Sequence, residues 1–329
     1  MKPTTEIPMF GRQDELRAVF SRLSACQSVA VIGEPHTGKS LLLAQVANPI
    51  IRRKWSLDPN QFVIVNFDGR LLPPHFTVNR FWEQVFDTLG TFPRIKDEVD
   101  QILSSNVSTS SVYNIERFFR QLGRREMRAV ILIDHIGHFL SHVESVGDIL
   151  GSLRSLSSRT GGLVLLVASR QRIRELNQIT VSSNAKGSPF FNTLQEIRLG
   201  ILREDEAQQV LASRFDFNTD AILKVTGYHP YLISLLIRMH KIPPSINELL
   251  DQLTYPAFKH YDLASQHLQG LFDVLIEAVS IKKRNFDLVP GDIQELIWRG
   301  WLQQAPDHRL KPASLLLERW LENRGYLFA

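Results

Sequence analysis

A single cysteine in 329 residues, Cys26, excludes an internal disulfide framework and fits a reducing compartment. The start, Met1-Lys2-Pro3-Thr4-Thr5-Glu6, lacks the apolar stretch of a secretory signal, and no run is long and apolar enough to span a bilayer. These absences predict a cytoplasmic protein with no membrane partner. Neither sign of charge dominates: 38 Lys and Arg against 34 Asp and Glu give a formal net charge of +4. Such a balance permits contact with nucleic acid but does not demand it. There is no internal repeat and no low-complexity tract. What remains is an ordinary globular composition, 43% hydrophobic and 22% charged, sufficient for a sizeable core divided among two or three domains.

Residues 33 to 40 stand out: Gly33-Glu34-Pro35-His36-Thr37-Gly38-Lys39-Ser40 is the complete G-x-x-x-x-G-K-[ST] phosphate loop. Its glycines let the backbone curl so that successive N–H groups face phosphate oxygens, Lys39 neutralises β and γ phosphates, and Ser40 supplies a ligand to Mg²⁺. The flanks suit that chemistry. Ser28 to Ile32 reads as a short buried strand, and Leu41 to Val46 continues as a helix.

Further strand-like runs occur at Phe62 to Phe67, Ala129 to Ile133, Leu163 to Ala168 and Glu196 to Leu199, separated by helical stretches. Alternation of this kind predicts an α/β fold with a parallel sheet and helices on both faces. The polar stretches Ser104 to Ser111 and Val181 to Pro189 read as surface loops. After Leu199 the strands stop, and helices are expected at Arg203 to Phe215, Asp220 to Val225 and Pro230 to His240, ahead of a break at Lys241 to Ser245.

A second phosphate-site pattern is Arg128-Ala129-Val130-Ile131-Leu132-Ile133-Asp134, an apolar strand ending in a carboxylate. Asp134 is expected in the Mg²⁺ shell together with Ser40. The next residue, where hydrolysing proteins with this pattern carry an acid to polarise water, is His135. A neutral imidazole can accept a proton, so weak or partner-dependent ATPase activity is expected, with His135 in the catalytic position. His135, His138 and His142 have the spacing of one helical face and could be read as a metal site. No Cys and no clear supporting carboxylate accompanies them, which favours a partly buried histidine face. Arg52-Arg53-Lys54 and the basic run from Arg117 to Arg128 read as solvated helix faces.

With Met9-Phe10-Gly11-Arg12 ahead of the first helix and the two phosphate motifs, the chain resembles the STAND class of P-loop ATPases and is similar to the origin-recognition initiator ATPases of the AAA+ group. The resemblance runs over nearly the whole length. It implies that Phe10, Gly11 and Arg12 border an adenine pocket, and that Glu34, Pro35, His36, Thr37, Gly38 and Leu41 belong to the nucleotide-binding stretch with Gly33, Lys39 and Ser40. It implies a sensor role toward the γ-phosphate for Arg170, at the tip of Leu163 to Ser169, although a surface arginine in the basic run Arg170 to Arg174 is an equal reading. Thr226-Gly227-Tyr228-His229-Pro230 resembles the family's lid element, with Pro230 beside the base. A proline there is also good helix-start chemistry. No N-K-x-D motif for guanine is present, so ATP and ADP with Mg²⁺ are the expected ligands.

The expected organisation is a P-loop ATPase core over 1–200, a helical lid over 201–250 and a winged-helix-like domain over 251–329. The last rests on Leu271 to Val279, Asp292 to Arg299, a small hairpin through Gly300 to Gln304 and Arg309 to Lys311, and Ala313 to Glu322. Lys282-Lys283-Arg284 adds positive charge, but Asp292 to Arg299 carries as much acid as base, a poor approach to DNA phosphates. The leading expectation is a nucleotide switch acting through a protein partner, with sensing or output on a separate polypeptide. A DNA-associated ATPase that self-assembles on duplex is the alternative, and a non-catalytic scaffold that merely retains nucleotide is a third.

Overall fold

The computed structural model describes residues 11–104, 112–181, 189–212, 219–239, 245–258, 274–276, 278–279, 290–304 and 309–325. Phe10, Lys282 to Arg284, most of the two polar loops, nearly all of the 241–245 break and residues 271–273 and 277 of the expected 271–279 helix therefore lie outside the described residues. The chain forms two compact units, one from Gln13–Gly33 and Lys39–Leu199, the other from Met1–Arg12, Glu34–Gly38 and Gly200–Ala329.

The first unit is a five-stranded parallel sheet in the order β2-β3-β4-β1-β5, where β1 is Val29–Gly33, β2 Phe62–Asp68, β3 Arg128–Asp134, β4 Leu163–Ser169 and β5 Gln195–Leu199. Every strand expected from the apolar runs is present. Burial follows position in the sheet: β1 and β4 are buried at every residue and β3 at all but its first, whereas the edge strands β2 and β5 alternate buried with partly or fully exposed positions. A central parallel strand is covered on both faces and so reads as a continuous apolar run; an edge strand is not.

Helices α1 (Gln13–Ser24), α2 (Lys39–Ala47), α3 (Pro49–Lys54), α4 (Val78–Leu89), α5 (Lys96–Ser104), α6 (Val112–Arg124), α7 (Ile136–His142), α8 (Val146–Arg159) and α9 (Ile173–Thr180) complete this unit. Ile115, Phe118, Phe119 and Leu122 of α6 recur at helical spacing and are all buried. Phe118 and Phe119 meet Phe86 of α4 edge-on and tilted, and Phe81 stacks on Phe67 of β2 at 4.9 Å. Arg52 departs from the solvated face expected of it. It is 6% exposed, and its guanidinium donates to the carbonyls of Phe62 and Ala47, tying the end of α2 to the start of β2.

The second unit is helical up to its end: α10 (Glu204–Ala212), α11 (Thr219–Thr226), α12 (Pro230–Ile237), α13 (Ile246–Phe258), α14 (Pro290–Arg299), the antiparallel pair β6 (Leu302–Gln304) and β7 (Leu310–Pro312), and α15 (Leu315–Asn323). Leu211, Leu223, Leu236, Leu296, Leu302 and Leu321 belong to one apolar core. Helix starts are chemically marked. Ser314 caps α15 by accepting from the Leu317 N–H, and Pro230 begins α12, where a missing N–H costs nothing. The helix, hairpin, helix order of 290–323 matches the sequence pattern. No helix among the described residues is long and apolar enough to cross a membrane.

Candidate nucleotide-binding site

Parallel pairing aligns the carboxyl ends of the strands. Asp68 of β2 lies opposite Asp134 of β3, Ile133 opposite Val167, and Ser169 of β4 opposite Ile32 of β1, so the ends of four strands share one edge of the sheet. Ligands of open α/β sheets bind outside this edge. Here Gly33 leads out of β1 and the loop re-enters the sheet unit at Lys39, the first residue of α2.

Lys39 Nζ donates to the Gly33 carbonyl at 2.8 Å. Burial lowers its pKa to about 7, with the Arg170 charge adding to the shift and Asp134 opposing it. A cation this poorly solvated gains much from an anion brought to it. Gly38 has φ +97°, closed to side chains, and a Cβ there would meet nothing within 4 Å. The loop backbone thus borders open space. Ser40 is exposed one residue into α2, and Asp134, 9% exposed, accepts from the His135 N–H at 2.8 Å through Oδ1. A cation, loop N–H groups and a helix start suit phosphates; a hydroxyl and a carboxylate suit a hard divalent cation. The residues present fit a magnesium nucleotide.

His135 is not on a helical face with His138 and His142. It adopts φ 54°, ψ 51° as the residue before α7, while His138 is exposed and His142 is turned to the His138 carbonyl at 2.8 Å. Among the described residues no group of three or more His, Cys, Asp or Glu could hold a metal ion. Nδ1 of His135 instead lies 3.2 Å from a carboxylate oxygen of Asp68 and 3.2 Å from one of Asp134, though not in line for a hydrogen bond. Burial, reinforced by Arg70 and Lys39, lowers its pKa against the pull of Asp134 and Asp68, so the imidazole is neutral near pH 7. Asp68 is held below the usual carboxylate range chiefly by its hydrogen bond from Arg70. Gly69, immediately after β2, fixes this corner, because a Cβ there would lie 2.5 Å from the His135 carbonyl oxygen and the Phe139 nitrogen.

The second unit holds the middle of the loop. Thr37 Oγ1 donates to the Glu34 carbonyl at 2.9 Å, Arg12 donates to the carbonyls of Thr37, Ile201 and Gly200, and the Arg12 N–H reaches Glu206 Oε1 at 2.7 Å. Arg12 and Glu206 are 3% and 4% exposed, so this contact is a buried one. His36 stacks on Tyr231 with ring centroids 4.2 Å apart. Pro230 sits beside that stacked tyrosine. His229 before it accepts from the Tyr231 N–H, is buried, and has its pKa lowered to about 3 by burial, with the charges of Arg12 and His36 adding.

Residues 22–176 match the family model described as AAA domain. This segment is similar to AAA domains, and its fold is that of a P-loop ATPase. Among solved structures, the chain resembles a Walker-type ATPase of Pyrococcus abyssi at 14% identity and TM-score 0.57, covering 95% of this chain and 96% of that one. The ADP form of the Aeropyrum pernix ORC2 protein aligns over 100% of this chain and 98% of its own at 13% identity and TM-score 0.47. The Aeropyrum pernix ORC1 protein in complex with DNA aligns over 97% and 94%, at 13% identity and TM-score 0.44. No curated protein matches the sequence. The matched span carries β1, the start of α2, Asp68, Asp134, His135 and Arg170, on a nucleotide-binding fold.

Of the residues expected at the site, the sheet unit brings Gly33, Lys39, Asp134, His135 and Arg170 into mutual influence, and the second unit gathers Arg12, Glu34, His36 and Thr37. Reading the sequence missed Asp68, Glu206 and Tyr231. Asp68 had a visible signal, since β2 ends in a carboxylate just as β3 does. Glu206 and Tyr231 had none beyond good helix-start chemistry.

Proposed function

We propose that the chain is an ATP-binding, weakly or conditionally hydrolysing switch that acts through a protein partner. The observation behind the reading is the poorly solvated Lys39 beside Asp134 at the carboxyl edge of the sheet, on a loop whose middle residues are held by other elements. When bound, the nucleotide supplies a phosphoanhydride and, with Mg²⁺, its neutralising ion. Lys39 and the loop N–H groups would bind the phosphates, and Ser40 and Asp134 would hold the ion. Phe10, Gly11, Arg12 and Pro230 would border the base, and Arg170 would face the terminal phosphate. His135 would accept the proton of the attacking water. A neutral imidazole lacks the negative charge with which a carboxylate polarises the attacking water, which fits slow turnover.

A protein partner is favoured over duplex DNA because α14 has one basic side chain, Arg299, and it is 2% exposed and paired with Glu295. That leaves this helix no cation for backbone phosphates. The winged-helix-like assignment of 251–329 and the lid assignment of 201–250 are part of the same proposal. Calorimetry with ATP and with ADP, combined with limited proteolysis of each complex, tests it. The reading expects different affinities or cleavage patterns for the two ligands; equal affinity with identical patterns contradicts it, and ATP-stimulated, salt-sensitive duplex binding would replace it with the DNA-associated alternative.

A further inference from the structure

Glu34 occupies the first variable position of the phosphate loop, where an acid works against anion binding, yet it is 2% exposed. Its carboxylate is turned to Arg299 at the last position of α14, far away in sequence but in the same compact unit. Arg299 is 2% exposed and also donates to Glu295 Oε1 through Nε at 2.9 Å and Nη2 at 2.6 Å. Two carboxylates, one on the loop and one on the same helix, therefore share a single buried guanidinium. Burial lowers the Arg299 pKa to about 10, which leaves it charged near neutral pH.

The helix does not need Glu34. Glu295 and Arg299 stand four residues apart, and that pair alone compensates the buried cation. Nor does phosphate chemistry ask for a carboxylate at this position, because the loop offers its backbone there. What the extra partner adds is a connection. Glu34 links the segment whose backbone would face a phosphate to a helix that continues directly into Gly300, β6, β7 and α15. An anion seated on the loop would order its backbone and add negative charge on the side that Arg299 already faces.

We propose that the Glu34–Arg299 ion pair is a latch by which occupancy of the phosphate loop is transmitted to α14 and the hairpin and helix that follow it. This rests on the nucleotide-switch reading and names the contact that carries the switch into the carboxy-terminal segment. Arg299 is a positioning residue here, acting through Glu34.

Hydrogen exchange read by mass spectrometry tests the latch, with and without a saturating non-hydrolysable ATP analogue and Mg²⁺, occupancy being checked by calorimetry on the same samples. In the wild type, amides of 290–304 and 309–323 are expected to exchange about threefold or more slowly with nucleotide. Glu34→Gln removes the loop's charge while leaving Arg299 its Glu295 partner, and should abolish that slowing at full occupancy. Glu295→Gln leaves Glu34 and Arg299 in place and should preserve it. If Glu34→Gln does not fold or bind, Arg299→Lys replaces it: a lysine keeps the charge, cannot fork to both carboxylates, and should reduce the slowing.

Slowing that survives in both Glu34→Gln and Arg299→Lys, or is lost equally in Glu295→Gln, overturns the latch. So does unfolding of both Glu34→Gln and Arg299→Lys, which would make the triad purely structural. A wild type that binds nucleotide without any change in 290–323 overturns the latch alone. One that binds no nucleotide overturns the switch reading as well.

Discussion

Two acid–base clusters among the described residues are built in opposite ways. At the sheet edge, Asp68, Asp134 and His135 sit at or just beyond strand ends, where backbone register places them, and Arg70 pairs with Asp68 at a site where the arginine is 55% exposed. In the second unit, Glu34, Glu295 and Arg299 come from a loop and a helix end, and all are buried. The first cluster keeps Asp68 and Arg70 near solvent, with only Asp134 buried at its strand end. The second has traded solvent for fixed partners, so removing Arg299 leaves buried carboxylates without their cation.

The largest expected effect follows from that contrast. Arg299→Ala strands buried carboxylates and should cost about 3–5 kcal/mol of stability, whereas Arg70→Ala, breaking an exposed pair, should cost about 0–1 kcal/mol. Denaturant unfolding of both variants measures the difference, and similar losses would erase the distinction between the clusters.

A second difference is titration. His229, with a folded pKa of about 3 against 6.5 when unfolded, stays neutral in the folded chain while the unfolded chain takes up a proton below pH 6.5. Stability therefore falls as pH drops from about 6.5 toward 3, by about 1.4 kcal/mol per pH unit from this group. His229→Asn keeps an acceptor for the Tyr231 N–H but removes the proton site, so its stability should decline less steeply in that window. An unchanged slope would show that His229 is solvated on the folded chain.

At the sheet edge the expected change is in rate. His135→Glu restores the carboxylate usual at this position and should raise ATP hydrolysis on the order of tenfold, measured as phosphate release at saturating ATP, while His135→Ala should abolish it. A silent His135→Ala would remove the imidazole from the chemistry.

How much was legible in the sequence follows the same line. The five strands were readable because β-branched apolar runs between helical stretches have few alternatives, and the phosphate loop because every position has its own physical job. Asp134 was readable as the end of such a strand. His135 was misread as sharing a helical face with His138 and His142, because periodicity carries no mark of the left-handed turn that sets it before α7. Arg52 was misread as solvated because charge runs usually are, and only tertiary packing brings the carbonyls of Ala47 and Phe62 to it. Glu34 was seen as a loop residue, but its partner Arg299 lies at a sequence distance where no local pattern operates.

The proposed switch requires that the loop around Lys39 bind a magnesium nucleotide. Calorimetric titration of ATP with Mg²⁺ into the wild type and Lys39→Ala tests this: saturable binding is expected in the wild type and affinity weaker on the order of 100-fold in the variant. No heat at any of several temperatures on folded wild type, or equal affinity in the two proteins, would contradict it.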